Sequence, residues 1–351
     1  LSILQKILYG WVVAGGILKP QHSWSLAVAV KHDEEEELIS SVIQSFWEVE
    51  NNLSYENSTT EEEFCEQHYS KNTVRLPDGS YSVRLPQIDG LDSSALGDSY
   101  QSALHRFKGL EKKFARYPEI KAQYVNFMSE YLSLNHMSLV SSQVTTKQYF
   151  LPHHCVQKLD STSTKLRVVF DGSAKTTSGL SLNDILHAGP TIQPKLFNTL
   201  LRYRSFKIAL SGDICKMYRC VGMSHPDDFL QCILWRENAN DDLKVYKLNT
   251  VTYGTKPAAF LAIRSMHQLA NDEEASYPLG AKILRRDFYV DDMISGGDSA
   301  AEVVAIRQQV ADLLQKGQFI IRKWVSNNPT VLDGIPDEQC EHFLKFHDGT
   351  D

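Results

Sequence analysis

Arg285-Arg286-Asp287-Phe288-Tyr289-Val290-Asp291-Asp292-Met293-Ile294-Ser295-Gly296-Gly297 decides how this chain is read. Apolar and aromatic residues flank two adjacent carboxylates, and the chain turns apolar again before a glycine pair. That pattern predicts a short strand, a two-residue turn and a returning strand, a hairpin with both acids at its tip. Asn-Gly or Asp-Gly is the relaxed choice for such a turn, because its backbone favours positive φ, which Asp tolerates less well than Gly. Two like charges on a tight turn need a reason.

Divalent cations supply one. Mg²⁺ takes hard oxygen ligands and keeps positions open for phosphate, so carboxylates on a rigid tip can hold it against a triphosphate. The plain alternative is a solvated acidic turn, since Asp is common in turns. What lies around the hairpin discriminates between them. Ile208-Ala209-Leu210-Ser211-Gly212-Asp213-Ile214 reads as an apolar strand closing on a carboxylate, and a charge at the end of a buried strand is costly unless paired or metal-bound. Asp213 is the natural partner for Asp291 and Asp292.

With 351 residues the chain can bury a substantial core in two or three domains, and 42% hydrophobic with 23% charged residues is ordinary globular composition. The net charge of −7 would argue against a nucleic-acid partner if it were evenly spread. Acid instead concentrates in Asp33 to Glu37 and Glu61 to Glu63. The middle carries Lys147, Lys158, Lys165, Arg167, Lys175, Lys195, Arg202, Arg204, Lys207, Lys216 and Arg219, a local basic field of the kind a polyanion meets. Six cysteines without a CxxC pair fit reduced thiols better than a disulfide framework. Residues 1–19 lack the charged start and cleavage site of a signal peptide, and Lys6 breaks their apolar run, so neither a membrane span nor a targeting segment is read there.

Along the chain, Tyr9 to Gly16 reads as one strand. Leu38, Ile39, Val42, Ile43, Phe46 and Trp47 have helical spacing, and Ser58-Thr59-Thr60 caps a helix whose first turn carries Glu61 to Glu63. Ser80 to Pro86 alternates as a strand. Two helices run from Asp98 to about Leu134, broken near Pro118. Tyr149 to Pro152 and Leu166 to Asp171 look like strands joined by the polar loop Lys158 to Lys165, a basic connection able to close on phosphates. Helices are expected over Pro194–Arg204, Lys256–Ala270 and Ser299–Gln315, and strands over Phe229–Trp235, Val245–Val251 and Gln318–Trp324.

The order strand-Asp, two strands, helix, Asp-Asp hairpin, helix, strand resembles the palm of a reverse transcriptase, with Asp213 on its first strand and Tyr289-Val290-Asp291-Asp292 as the Tyr-x-Asp-Asp hairpin. The likeness is closer to the BEL/Pao class of long-terminal-repeat retrotransposon Pol polyproteins. Phrases similar to that class are Phe46-Trp47-Glu48, Val83-Arg84-Leu85-Pro86, Leu151-Pro152-His153-His154, Leu166 to Asp171, Gly179 to Asp184, Asp213 to Tyr218 and Arg322-Lys323-Trp324.

This resemblance implies an α+β fold, a right-hand polymerase fingers and palm with an antiparallel palm sheet and helices, preceded by a mainly helical module. The implied division is 1–19 as the tail of a retropepsin-like protease, 20–145 as a helical linker, and 146–351 as fingers and palm, with thumb, RNase H and integrase beyond the chain's end. The implied reaction is RNA-directed DNA synthesis by two Mg²⁺ ions, Mn²⁺ substituting. Template RNA or DNA with its primer, dNTPs and the rest of the polyprotein are the implied partners, with no membrane, in cytoplasmic virus-like particles.

Asp213 and Asp291 resemble the bridging metal ligands, with Asp292 beside them in a weaker role. Arg167 resembles the fingers arginine across the incoming nucleotide, and Lys158 or Lys165 the lysine on its γ-phosphate. Tyr218 stands where an aromatic ring excludes a 2′-hydroxyl, Tyr253 at the template-side contact, and Lys323 at the palm lysine near the triphosphate. The sequence departs from the class where Lys256-Pro257-Ala258-Ala259 displaces the expected Ser/Ala-Pro after Tyr253-Gly254. The alternative is an inactive element relic that keeps the fold and only binds nucleic acid. An aspartic protease centred on Asp171-Gly172-Ser173 has the wrong residue order, and a purely structural segment would suit residues 20–140 but not the acids.

Overall fold

A computed structural model describes residues 2–7, 10–15, 59–141, 146–157 and 166–341. The chain divides into two compact units, 1–57 and 58–351. In the first, β1 (Ser2–Ile7) pairs antiparallel with β2 (Gly10–Gly15), so the strand expected over 9–16 has a partner immediately before it. The acidic run at 33–37 and the helix expected over 38–47 lie outside the described residues.

The second unit opens on α1 (Thr60–Asn72). Its start is a reciprocal cap: Thr59 Oγ1 accepts from the Glu62 N–H at 3.2 Å, and Glu62 Oε2 accepts from the Thr59 N–H at 2.8 Å. There follow β3 (Val74–Arg75), β4 (Tyr81–Val83), α2 (Tyr100–Arg116), α3 (Pro118–Ser133), β5 (Met137–Leu139), β6 (His153–Gln157), β7 (Leu166–Phe170) and α4 (Leu196–Ser205). The chain continues through β8 (Ile208–Ile214), β9 (Val221–Met223), β10 (Cys232–Trp235), β11 (Lys244–Leu248), α5 (Ala258–Glu273) and α6 (Pro278–Arg286). It closes with β12 (Phe288–Tyr289), β13 (Asp292–Gly297), α7 (Ala300–Lys316) and β14 (Ile321–Ser326). The fold is mixed, with seven α-helices among the described residues and small, mostly antiparallel sheets; none of these helices is long and apolar enough to cross a membrane.

Four strands in the order β12-β13-β8-β14 form the sheet that carries the acids, and every neighbouring pair in it is antiparallel. Strand β8 alternates buried and half-buried residues, as a strand with one face on the core must, and Asp213 falls on the more open face with Ala209 and Ser211. Helices α5, α6 and α7 pack together beside this sheet. At Gly280 the α6 and α7 backbones approach so closely that a Cβ would meet the Gln309 carbonyl oxygen at 2.8 Å.

Residues 59–141 do not stand apart as a module: they share a unit with everything after them. Strand β5 pairs with β11, and β4 runs parallel to β9. Tyr124 of α3 stacks on Trp235 at 5.4 Å between centroids, with Phe107 and Phe114 of α2 edge-on to the same indole. His153 lies in this cluster with its ring nitrogens on the Tyr124 hydroxyl and the Leu234 carbonyl oxygen, and burial pushes its pKa down to about 4.

Three expectations are corrected. The strand that pairs with β7 is His153–Gln157, not Tyr149–Pro152; Phe150 keeps only a single bridge to Cys232, because the segment before Pro152 runs along β10 instead. Phe229 lies in a short 3₁₀ turn, and the strand begins only at Cys232. Arg285 and Arg286 end helix α6, begun by Pro278 at its first turn, rather than opening the hairpin strand.

Candidate active site

The hairpin tip is Val290-Asp291, with Tyr289 opposite Asp292. Only Asp291 of the two acids is therefore a turn residue. Asp292 is the first residue of β13, where it faces Asp213 of β8 directly, and the Ile214 N–H donates to the Asp291 carbonyl at 2.8 Å. Directly opposed residues in such a ladder have Cβ atoms about 4.5–5.5 Å apart, and like charges there repel.

On the other side of β8, Arg322 faces Asp213, and the β14 register then shifts before Val325 meets Ser211. Lys323 sits in that bulge at φ 54° and places Nζ 2.9 Å from Asp213 Oδ2. Arg322 turns its guanidinium to the Cys215 sulfur.

The site's electrostatics follow from this crowding. Burial, then the charge of Asp213, raises the pKa of Asp291, against relief from its own backbone N–H, Lys323 and Arg167. Burial, then Asp291 and Asp213, raises that of Asp292, with Lys323 opposing. Asp291 and Asp292 thus share a neighbourhood with Asp213 in which the nearby cations only partly offset burial and like charge.

Backbone strain gathers at the same place. Five non-glycine residues have positive φ among the described residues, and three of them, Lys216, Val290 and Lys323, stand within three residues of an acid of the cluster or in contact with one. Val290, at φ 59°, is β-branched and pays the steepest steric penalty for that conformation. Such residues cost about 1–3 kcal/mol each and persist where the surroundings over-determine them. The turn's strain therefore falls on valine, not on the acids.

The other expected site residues are placed unequally. Arg167 projects from the exposed face of β7, and its charge is felt at Asp291. Tyr218 lies in the 3₁₀ turn Met217–Cys220 that follows β8; burial, then the charge of Asp291, raises its pKa. Tyr253 donates its hydroxyl to the Val168 carbonyl oxygen at 2.6 Å and packs on Phe170, so it ties the β6–β7 hairpin to the loop before α5. Asn183 reinforces that tie: its Nδ2 donates to the Gly254 carbonyl and its Oδ1 accepts from the Lys256 N–H. Lys158 and Lys165 lie outside the described residues.

The basic field read from the middle of the chain is partly used up internally. Lys175 pairs with Asp184, Arg202 with Asp287, and Lys216 and Arg219 both with Glu130, while Lys147 donates to the Leu96 carbonyl. Sequence counts every cation alike, whereas the fold distinguishes those bound to the scaffold.

Asp287 is the residue the sequence reading passed over. It is fully buried at the base of the hairpin, where Oδ1 accepts from Arg202 Nη1 at 2.9 Å and Arg286 Nε at 2.8 Å. Its Oδ2 accepts from Arg286 Nη2 at 2.7 Å and Ser295 Oγ at 2.6 Å. The carboxylate thereby joins α4, the end of α6 and β13. The only sequence signal for it is an acid next to two arginines in an otherwise apolar strand.

Hard oxygen donors in a cluster where burial and the neighbouring carboxylates raise the pKa of Asp291 and Asp292 are the donor set that a divalent cation neutralises. Among the described residues no group of three such side chains is arranged around an ion-sized site, and Asp213 has one oxygen on Lys323. Asp213, Asp291 and Asp292 would hold the cation in a polymerase site. No protein-family model matches the chain, and no curated protein does.

Proposed function

We propose that residues 146–351 form the fingers and palm of an RNA-directed DNA polymerase, part of a Pol polyprotein resembling the BEL/Pao class. The observation that carries this reading is the pairing of Asp292 with Asp213 beside the strained Val290-Asp291 tip. Acids nearly eighty residues apart in sequence come to one end of one sheet. A solvated turn gives no account of a carboxylate set opposite another carboxylate.

Bound divalent cations would activate the primer 3′-hydroxyl and neutralise charge on the triphosphate. The chain's own part is positioning and electrostatics, which dominate phosphoryl and nucleotidyl transfer. Asp213, Asp291 and Asp292 would hold these cations. Arg167, whose charge already reaches Asp291, lies across the incoming dNTP. Tyr218 closes the space at the sugar's 2′ position, and Tyr253 fixes the hairpin that carries Arg167.

The test is extension of an oligo(dT) primer on poly(rA) with dTTP and Mg²⁺. In a chain extended through the thumb, wild type is expected to incorporate dTMP, and Asp291→Asn to lose at least about a hundredfold, the scale of removing one charge-stabilising group. Equal incorporation by the two proteins would reject the reading.

A further inference from the structure

We propose that Lys323 is the resident counter-cation of the acid cluster, and that it must leave Asp213 for Glu341 before a divalent cation can be held. The inference rests on the metal-site reading above and adds a residue that governs access to it. Three observations carry it. First, Lys323 Nζ occupies Asp213 Oδ2 at 2.9 Å, on the side of β8 opposite the hairpin strand. Second, the lysine is delivered there by a bulge and a left-handed backbone at φ 54°, so a regular β14 would have placed it differently. Third, Asp292 of the hairpin strand stands directly opposite Asp213 on the other side of β8, so the ammonium sits against one of two facing carboxylates.

The lysine has a second acid to go to. Glu341 is held beside it, because its N–H donates to the Trp324 carbonyl at 3.1 Å, and Cys340 bridges to Trp324. Its charge acts on Lys323 in the same sense as those of Asp213 and Asp292. The Lys323–Asp213 pair is 45% and 24% exposed at the two side chains, and partly solvated pairs of this kind exchange readily. In the cation-free protein Lys323 offsets repulsion between Asp213 and Asp292. When Asp213 turns to a divalent ion, the ammonium is repelled by that ion and attracted by Glu341.

The experiment is a Mn²⁺ titration of the full chain followed by electron paramagnetic resonance of the free ion, with no nucleotide present. Lys323→Met is expected to bind Mn²⁺ about two- to five-fold more tightly than wild type, the factor that corresponds to releasing a partly exposed pair. Glu341→Gln is expected to weaken binding in the wild-type background and to have no effect in the Lys323→Met background. Since both side chains are exposed or partly so, circular dichroism of each variant should match wild type. Equal or weaker Mn²⁺ affinity in Lys323→Met, with binding still lost on Asp213→Asn, would overturn the role of Lys323 and leave the metal site standing. No Mn²⁺ binding by any of the proteins would remove the metal site and this inference with it.

Discussion

Asp292 and Asp213 are direct cross-strand neighbours, two carboxylates in one ladder position where most sheets place an apolar or oppositely charged pair. Their repulsion is a burden on the fold, and Lys323 on Asp213 relieves part of it. Asp292→Asn is therefore expected to raise stability by up to about 1 kcal/mol in metal-free buffer while lowering Mg²⁺-dependent activity. Urea denaturation with chelator present checks the first half, and a variant less stable than wild type would show that the two acids do not repel across the ladder.

Asp287 supports that ladder from below. Its four contacts from Arg202, Arg286 and Ser295 leave no exposed surface on the carboxylate. Asp287→Ala removes the shared carboxylate from Arg202 and Arg286, which are 21% and 34% exposed, and is expected to cost about 1–3 kcal/mol, the scale of losing hydrogen bonds to a charged group. Chemical denaturation measures it directly. A loss under about 1 kcal/mol would mean that the arginines find solvent instead.

Acid should loosen the scaffold in a defined window. Burial pushes the pKa of His153 down to about 4, and those of His136 and His267 also to about 4. In the unfolded chain an imidazole titrates near about 6.5, so as pH falls the unfolded state takes up protons first. Stability is thus complete above about pH 6.5 and declines down to about pH 4, with His153 alone contributing about 3 kcal/mol to the fall. Urea midpoints at a series of pH values test the slope, and His153→Gln should flatten part of it. Flat stability from pH 7 to pH 4.5 would contradict the buried neutral ring.

Tyr218 is close enough to Asp291 to feel its charge, and its ring is half-buried against the core. Tyr218→Ala is expected to raise the use of ribonucleotides relative to deoxynucleotides by about tenfold, since it removes a steric clash with the 2′-hydroxyl. Competition between rNTP and dNTP in primer extension reads the ratio. Unchanged selectivity would place the sugar elsewhere.

Much of this was legible in the sequence for physical reasons that can be named. The Thr59–Glu62 cap, the break at Pro118 and the alternation of β8 are local signals, and local chemistry decides them. Asp213 was legible as a partner for the hairpin because a charge closing an apolar strand has few other uses. Helix α6 was missed because its nine residues abut the hairpin, and the apolar Ile283 and Leu284 read equally well as strand. The Asp287 anchor and the Lys323 bulge were not legible at all. Both depend on which distant residue arrives opposite them, Arg202 for one and Asp213 for the other, and no periodicity carries that information.

The account stands on three acids acting as one cation site, and Mn²⁺ binding to the Asp213→Asn variant tests this most directly. The prediction is that Asp213→Asn, Asp291→Asn and Asp292→Asn each weaken saturable Mn²⁺ binding at unchanged circular dichroism. Wild-type affinity in Asp213→Asn, with binding lost only in the two hairpin variants, would contradict it.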